Sequence, residues 1–172
     1  MLKQAEEVAL PEVRVLFVGL GNICRSPMAQ AIFARLVEEA GLAERFHIDS
    51  VATSGWHVGS LQNYWTQQTL YKNGYGTFRH RARQITAEEY FEPDTHIVAM
   101  DYAIVSQLRE RFGRRDDVQL LLDFWEDDRV LEVPDPYNRG GYTGVFLLIE
   151  KGCQGLFSLL AQWYDLDLSR LQ

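Results

Sequence analysis

Between Val15 and Pro27 the chain reads VLFVGLGNICRSP: an apolar run, two glycines within three positions, an asparagine, then an arginine followed by serine and proline. These residue types, in this order, suit the capture of an oxyanion. Glycine and asparagine accept backbone conformations that turn successive N–H groups inward. A helix beginning directly afterwards adds its positive end, and Arg25 can pair two oxygens of one phosphoryl group. Gly21 is expected to supply the unusual dihedrals, with Asn22 tolerating the left-handed region. Ser26 is expected to donate to a neighbour and to cap the helix. The competing reading is an ordinary strand-to-helix turn whose arginine is a solvated surface charge; the spacing favours the anion.

Such a loop needs a strand behind it and a helix ahead. Val13 to Val18 is rich in β-branched residues and ends at glycines, as an internal strand does. Pro27 suits a first helical turn, and Met28, Ile32, Phe33, Leu36 and Val37 recur at helical spacing until Gly41. Phe46 to Thr53 predicts a second strand, Ser54 to Gly59 a loop, and Asn63 the cap of a helix over 64–73 closed by Gly74. Thr95 to Met100 predicts a third strand and Tyr102 to Phe112 a helix ending in basic residues that complement its dipole. Val118 to Leu122 predicts a fourth strand, Asp123 to Thr143 a polar acidic loop, and Val145 to Trp163 a long amphipathic helix. Alternating strands and helices imply an α/β three-layer sandwich: a four-stranded parallel sheet with helices on both faces. A single domain is expected over residues 1–172, frayed over residues 1–11.

The chain has 172 residues, 47% hydrophobic content and a formal net charge of -7, so the core is sizeable and no dominant basic face is available. That argues against nucleic acid and against a membrane surface as partners. Any bound anion must be held by local groups. Cys24 and Cys153 lie far apart and have no metal-ligand spacing, so neither a disulfide framework nor a metal site is expected, and a reducing cytoplasm is the simpler setting. The N-terminal stretch has no apolar targeting core, and no later run is expected to reach membrane-spanning length.

The segment Gly19 to Ala29, GLGNICRSPMA, resembles the signature loop of the low-molecular-weight protein tyrosine phosphatases, except that the family carries a nucleophilic cysteine at the position of Gly19. Further segments match in order: Asp49-Ser50 with Thr53 to Gly59, then Met100-Asp101, then Asp135-Pro136-Tyr137, over roughly residues 13–160. The resemblance implies a flavodoxin-like fold of the phosphotyrosine phosphatase I type. It implies phosphate binding by Leu20, Gly21, Asn22, Ile23, Cys24, Arg25 and Ser26, with Arg25 gripping the phosphoryl oxygens. Asp135 matches the general acid, Trp56 and Tyr137 the aromatic walls, and Asn22, Ser26, Ser50 and His80 the hydrogen bonds that hold the loop. Taken singly, Asp135 also reads as a turn residue, Trp56 and Tyr137 as half-buried packing, and His80 as a surface histidine. Ile23 replaces a small hydroxyl residue typical of the branch acting on phosphoarginine, which favours an aryl phosphate. Cys24 matches a second cysteine that, in the family, protects the nucleophile by a disulfide; without that partner it reads as a quiet, partly buried thiol.

The parent reaction implied is phosphomonoester hydrolysis through a phosphocysteine, without metal or organic cofactor. With Gly19 in the nucleophile's place, turnover is expected to be near zero, while phosphate, sulfate, aryl phosphates and phosphotyrosine-containing proteins remain ligands. Rescue by Cys24 is disfavoured because its position beside Arg25 gives the wrong approach for in-line attack. A non-catalytic phosphate-dependent binding module is the second reading. Arsenate reductase relatives form a third, but they need further redox cysteines near the loop. Val51-Ala52, the stretch from Ser60 to Tyr64, and Asn138 depart from the family pattern. The run Glu126-Asp127-Asp128 reads as a solvated face, or else as a selector of basic flanks.

Overall fold

The computed structural model describes residues 12–172, so the expected fraying of residues 1–11 lies outside the described residues. Four strands, β1 (Val13–Gly19), β2 (Phe46–Ala52), β3 (Thr95–Ala99) and β4 (Gln119–Leu120), form one parallel sheet in the order β2-β1-β3-β4. Nearly every residue of β1 is buried, because a central parallel strand is covered on both faces and has no solvent side for alternate residues to occupy. In register, Gly19 stands opposite Ala52 of β2, and Val18 opposite Ala99 of β3. The chain passes from β1 to β2 on one side and crosses back to β3 on the other. The loop leaving β1 therefore opens at the carboxyl edge where the strand order reverses, the place where open α/β sheets bind ligands.

The helices are α1 (Arg25–Glu39), α2 (Tyr64–Lys72), α3 (Ala87–Phe91), α4 (Tyr102–Phe112) and α5 (Tyr142–Trp163). On one face α1 and α5 pack over Phe17, Phe33, Phe46 and Phe157, with Phe33 edge-on to the other three at centroid distances of 5.7, 5.8 and 6.1 Å. On the other face Tyr90 of α3 and Ile104 and Leu108 of α4 cover Leu16, Val18, Val51 and Ile97. Helix α1 ends where the sequence places its stop: Gly41 has φ +69°, and its N–H donates to the Glu38 carbonyl while the Leu42 N–H donates to that of Val37.

Several elements differ from expectation. The predicted fourth strand shrinks to two residues, because Leu121 and Leu122 continue as a 3-10 turn, Leu121–Phe124, whose buried side chains insert under α5. Helix α3 was not expected, although Thr86 and Glu89 form a reciprocal capping box at its start. Helix α5 begins at Tyr142 and, contrary to expectation, is long and apolar enough to cross a membrane by length and composition. Half of its apolar window is buried inside the fold.

Two glycines in α5 make the turn's approach possible. A β-carbon at Gly152 would meet Leu121 Cγ at 2.6 Å, and one at Gly155 would meet the Phe124 carbonyl oxygen at 1.8 Å. Gly155→Ala is therefore expected to destabilise the fold by about 1–3 kcal/mol or more, as overpacking against backbone does, whereas Gly144→Ala, with nothing within 4 Å of its β-carbon, should stabilise by about 0.5–1 kcal/mol. Paired thermal unfolding curves would check both signs.

Candidate functional site

Four carbonyls between Gly19 and Cys24 accept hydrogen bonds from backbone N–H groups. Thr53 N–H donates to the Gly19 carbonyl, Ser54 N–H to Leu20, Asn63 N–H to Ile23 and Met28 N–H to Cys24. The N–H groups of Leu20 to Cys24, by contrast, donate to no protein acceptor among the described residues. No side chain caps α1, whose first-turn amides have no intrahelical acceptor. Gly19 to Ser26 together line a pocket closed on its other sides by Trp56, His57, Asp135, Tyr137 and Asn138. The expected capping by Ser26 is not found: its hydroxyl accepts from Asn22 Nδ2 at 2.9 Å.

Asn22 bends the loop. Its φ is +59° and it is almost wholly buried. Its amide nitrogen donates to Ser26 Oγ and to Ser50 Oγ at 3.0 Å, and its oxygen accepts from His80 Nε2 at 2.6 Å and from the Arg83 N–H at 3.1 Å. Two donors and two lone pairs exhaust an asparagine amide. Because Asn22 Oδ1 can only accept, the proton sits on His80 Nε2; burial lowers the pKa of this ring and keeps it neutral more readily. His80 thus belongs to the loop's support and is not a surface histidine. The Ser50 hydroxyl donates in turn to Gln30 Oε1 at 2.6 Å. Gly21 corrects the expectation made for it: the left-handed residue is Asn22, and Gly21 is small because a β-carbon there would lie 2.8 Å from His57 Cδ2.

Arg25 is 5% exposed, so the surface-charge reading fails. One guanidinium nitrogen donates to Asp101 Oδ2 at 2.6 Å and to the Val133 carbonyl at 2.8 Å. Asp101 serves twice, since its Oδ1 caps α4 through the Ile104 N–H. The other terminal nitrogen, Nη2, lies 3.8 Å from Asp135 Oδ2. A buried cation needs such partners. Asp135 Oδ1 accepts from the Tyr137 N–H, as a turn aspartate does, and its part-exposed carboxyl lies beside Arg25.

Trp56 and Tyr137 are 76% and 51% exposed, so neither is a packing residue. They stand at the pocket rim, and His57 leans on the Tyr137 ring at 5.7 Å. Cys24 Sγ is 3.6 Å from Tyr142 Oη, which donates onward to Asn63 Oδ1. Burial raises the Cys24 pKa, with the Tyr142 hydrogen bond opposing it, so the sulfur is held as a thiol turned toward α5. In the acidic run, Asp127 is paired with Arg129. Gln30, Arg83, His57, Tyr142 and the anchoring use of Asp101 were not assigned from sequence. Only Asp101 carried a signal, an acidic residue opening a helix directly after an apolar strand.

A family model described as low molecular weight phosphotyrosine protein phosphatase matches residues 14–165. The low molecular weight protein-tyrosine-phosphatase YfkJ of Bacillus subtilis is 39% identical over 148 residues, covering 85% of this chain and 94% of that protein. Its crystal structure superposes with a TM-score of 0.81 at 37% identity, over 88% of this chain and 96% of that one. A protein tyrosine phosphatase from Entamoeba histolytica, crystallised with Hepes in the active site, gives 0.79 at 28% identity, over 88% and 99%. A Drosophila arginine phosphatase gives 0.77 at 31% identity, over 86% and 97%. Matched by the family model over residues 14–165 and by relatives well above 30% identity across most of its length, the protein belongs to the low molecular weight phosphotyrosine protein phosphatase family.

Proposed function

We propose that this chain binds the phosphoryl group of phosphotyrosine and related aryl phosphates in the loop Leu20 to Ser26, and that Gly19, standing where the family's nucleophile is expected, leaves it unable to turn them over at an appreciable rate. The observation that carries the reading is the set of unspent amides from Leu20 to Cys24, on residues that line one pocket together with an arginine that is buried yet retains a nitrogen. Oriented N–H groups at a helix start bind oxyanions, and a guanidinium already clamped by Asp101 loses little freedom on gripping one. Trp56 and Tyr137 would flank an aromatic ring, and Ile23 offers no hydroxyl for a guanidino phosphate. The Hepes held in the active site of the Entamoeba relative carries a sulfonate, a comparable tetrahedral anion.

Losing the sulfur affects chemistry and binding in opposite ways. A nucleophile's deletion costs on the order of 10^5 to 10^6 in turnover where positioning and electrostatics alone remain. A thiolate about 4 Å from a phosphate charge would repel it by about 4 kcal/mol at an effective dielectric near 20, so the glycine form keeps its affinity. That balance favours the second reading, a pseudophosphatase that captures a phosphorylated partner, as the use of this chain. Cys24 does not substitute, being turned onto Tyr142 and held protonated by burial.

The site has room for repair. Gly19 lies outside the left-handed region, and a β-carbon there would meet Ser26 Oγ at 3.0 Å, a contact relieved by a few tenths of an ångström. Since Ser26 Oγ accepts from Asn22, its own proton is available to a thiolate. Gly19→Cys is therefore expected to raise aryl phosphate hydrolysis by at least about 10^5-fold, read as phosphate release; a variant that binds vanadate yet stays inactive would contradict the proposed geometry. In that repaired protein, Asp135→Asn should slow release of poor leaving groups by roughly 10^2 to 10^4 while sparing good ones. Equal losses across a leaving-group series would remove Asp135 from the role of acid.

A further inference from the structure

A second depression adjoins the first, and the two share Leu20 and Trp56. Its remaining lining comes from Thr53 and Ser54 after β2 and from Gln107, Glu110 and Arg111 on the last turns of α4. The polar groups here are oriented by the loop. Thr53 Oγ1 donates to Gln107 Oε1 at 2.5 Å, which fixes the amide with its nitrogen unspent, and Arg111 Nη1 donates to the Thr53 carbonyl at 3.2 Å. The Arg111 guanidinium also lies 5.0 Å over the Phe112 ring. Among the described residues no carboxylate stands within ion-pair distance of Arg111, Glu110 included, and the side chain is exposed. An unpaired cation and a free amide donor therefore sit on the far side of the wall that bounds the phosphate pocket.

Resting on the phosphotyrosine reading above, we propose that Arg111 and Gln107 form a subsite for an acidic side chain flanking the phosphotyrosine of a protein ligand, with Trp56 as the partition between the two. A carboxylate suits the pair because both present donors and Arg111 can engage two oxygens together. Glu110, on the same shelf, limits the subsite to one acidic group and repels a second. The preference runs against the chain's net charge of -7, so it is local, and added salt must weaken it.

The test measures fluorescence anisotropy of labelled phosphotyrosyl peptides in which one flanking position at a time, on both sides, carries Asp, Ala or Lys, with inorganic phosphate and free phosphotyrosine as competitors. At one or two adjacent positions Asp should bind about three- to fivefold tighter than Ala. Arg111→Gln should abolish that difference, Arg111→Lys should keep part of it, and Glu110→Gln should enlarge it. Free phosphotyrosine, too short to reach the shelf, should compete equally against all four proteins. Retained phosphate competition with no preference for Asp at any position, or a preference that survives in Arg111→Gln, overturns this subsite alone. Failure of phosphate and phosphotyrosine to compete overturns the reading on which it stands, and the subsite with it.

Discussion

A single buried amide holds the candidate site together. Asn22 adopts the left-handed backbone conformation that most side-chain-bearing residues avoid and asparagine tolerates, and it does so with all of its side-chain amide's hydrogen-bonding capacity engaged, by Ser26, Ser50, His80 and the Arg83 N–H. The partners come from the start of α1, from β2 and from the long connection after α2. The bend in the loop is thus tied to three separate parts of the chain. The loop residues that line the pocket keep their amides unspent where Asn22 turns the backbone, and that turn persists because the surroundings over-determine it.

A second anchor works from the opposite side. Arg25 is neutralised by Asp101, and Asp101 is held in turn as the cap of α4. The Val133 carbonyl, on the segment leading to Asp135, receives another of its hydrogen bonds, while the Val133 N–H donates to the Met100 carbonyl. Movement of the Asp135 segment is therefore coupled to the arginine through backbone hydrogen bonds. The glycines of α5 complete this arrangement from below, admitting the Leu121–Phe124 turn from which that segment starts.

Much of this was legible in the residues. The strand, loop and helix from Val13 to Gly41 announced themselves through an unbroken apolar run, a change to helical spacing and a glycine stop, because each signal is local. The bounds of α4 were readable for the same reason. What escaped was decided by tertiary packing. Leu121 and Leu122 look like strand residues, yet they leave the sheet because Gly152 and Gly155 open a gap for them. Gly21 looks like a conformational requirement, but the limit is the His57 ring, far away in sequence. His80 lies between two arginines and gave no local sign of burial; only the fold brings it to Asn22. Helix α3 carries a capping box, but at five residues it is too short for a helical period to show beside it. The Arg111 shelf had no sequence signal, since it exists only where the end of α4 meets the loop after β2.

The central claim is that the anion nest survives without a side chain at its base, and tungstate soaked into crystals of the unaltered protein tests it most directly. One oxyanion is expected among the amides of residues 20–26, with Arg25 on two of its oxygens at ordinary hydrogen-bond lengths of about 2.7–3.1 Å. Tungstate bound elsewhere on the molecule while this loop stays empty, or a loop in which Asn22 has left its four partners, would contradict it.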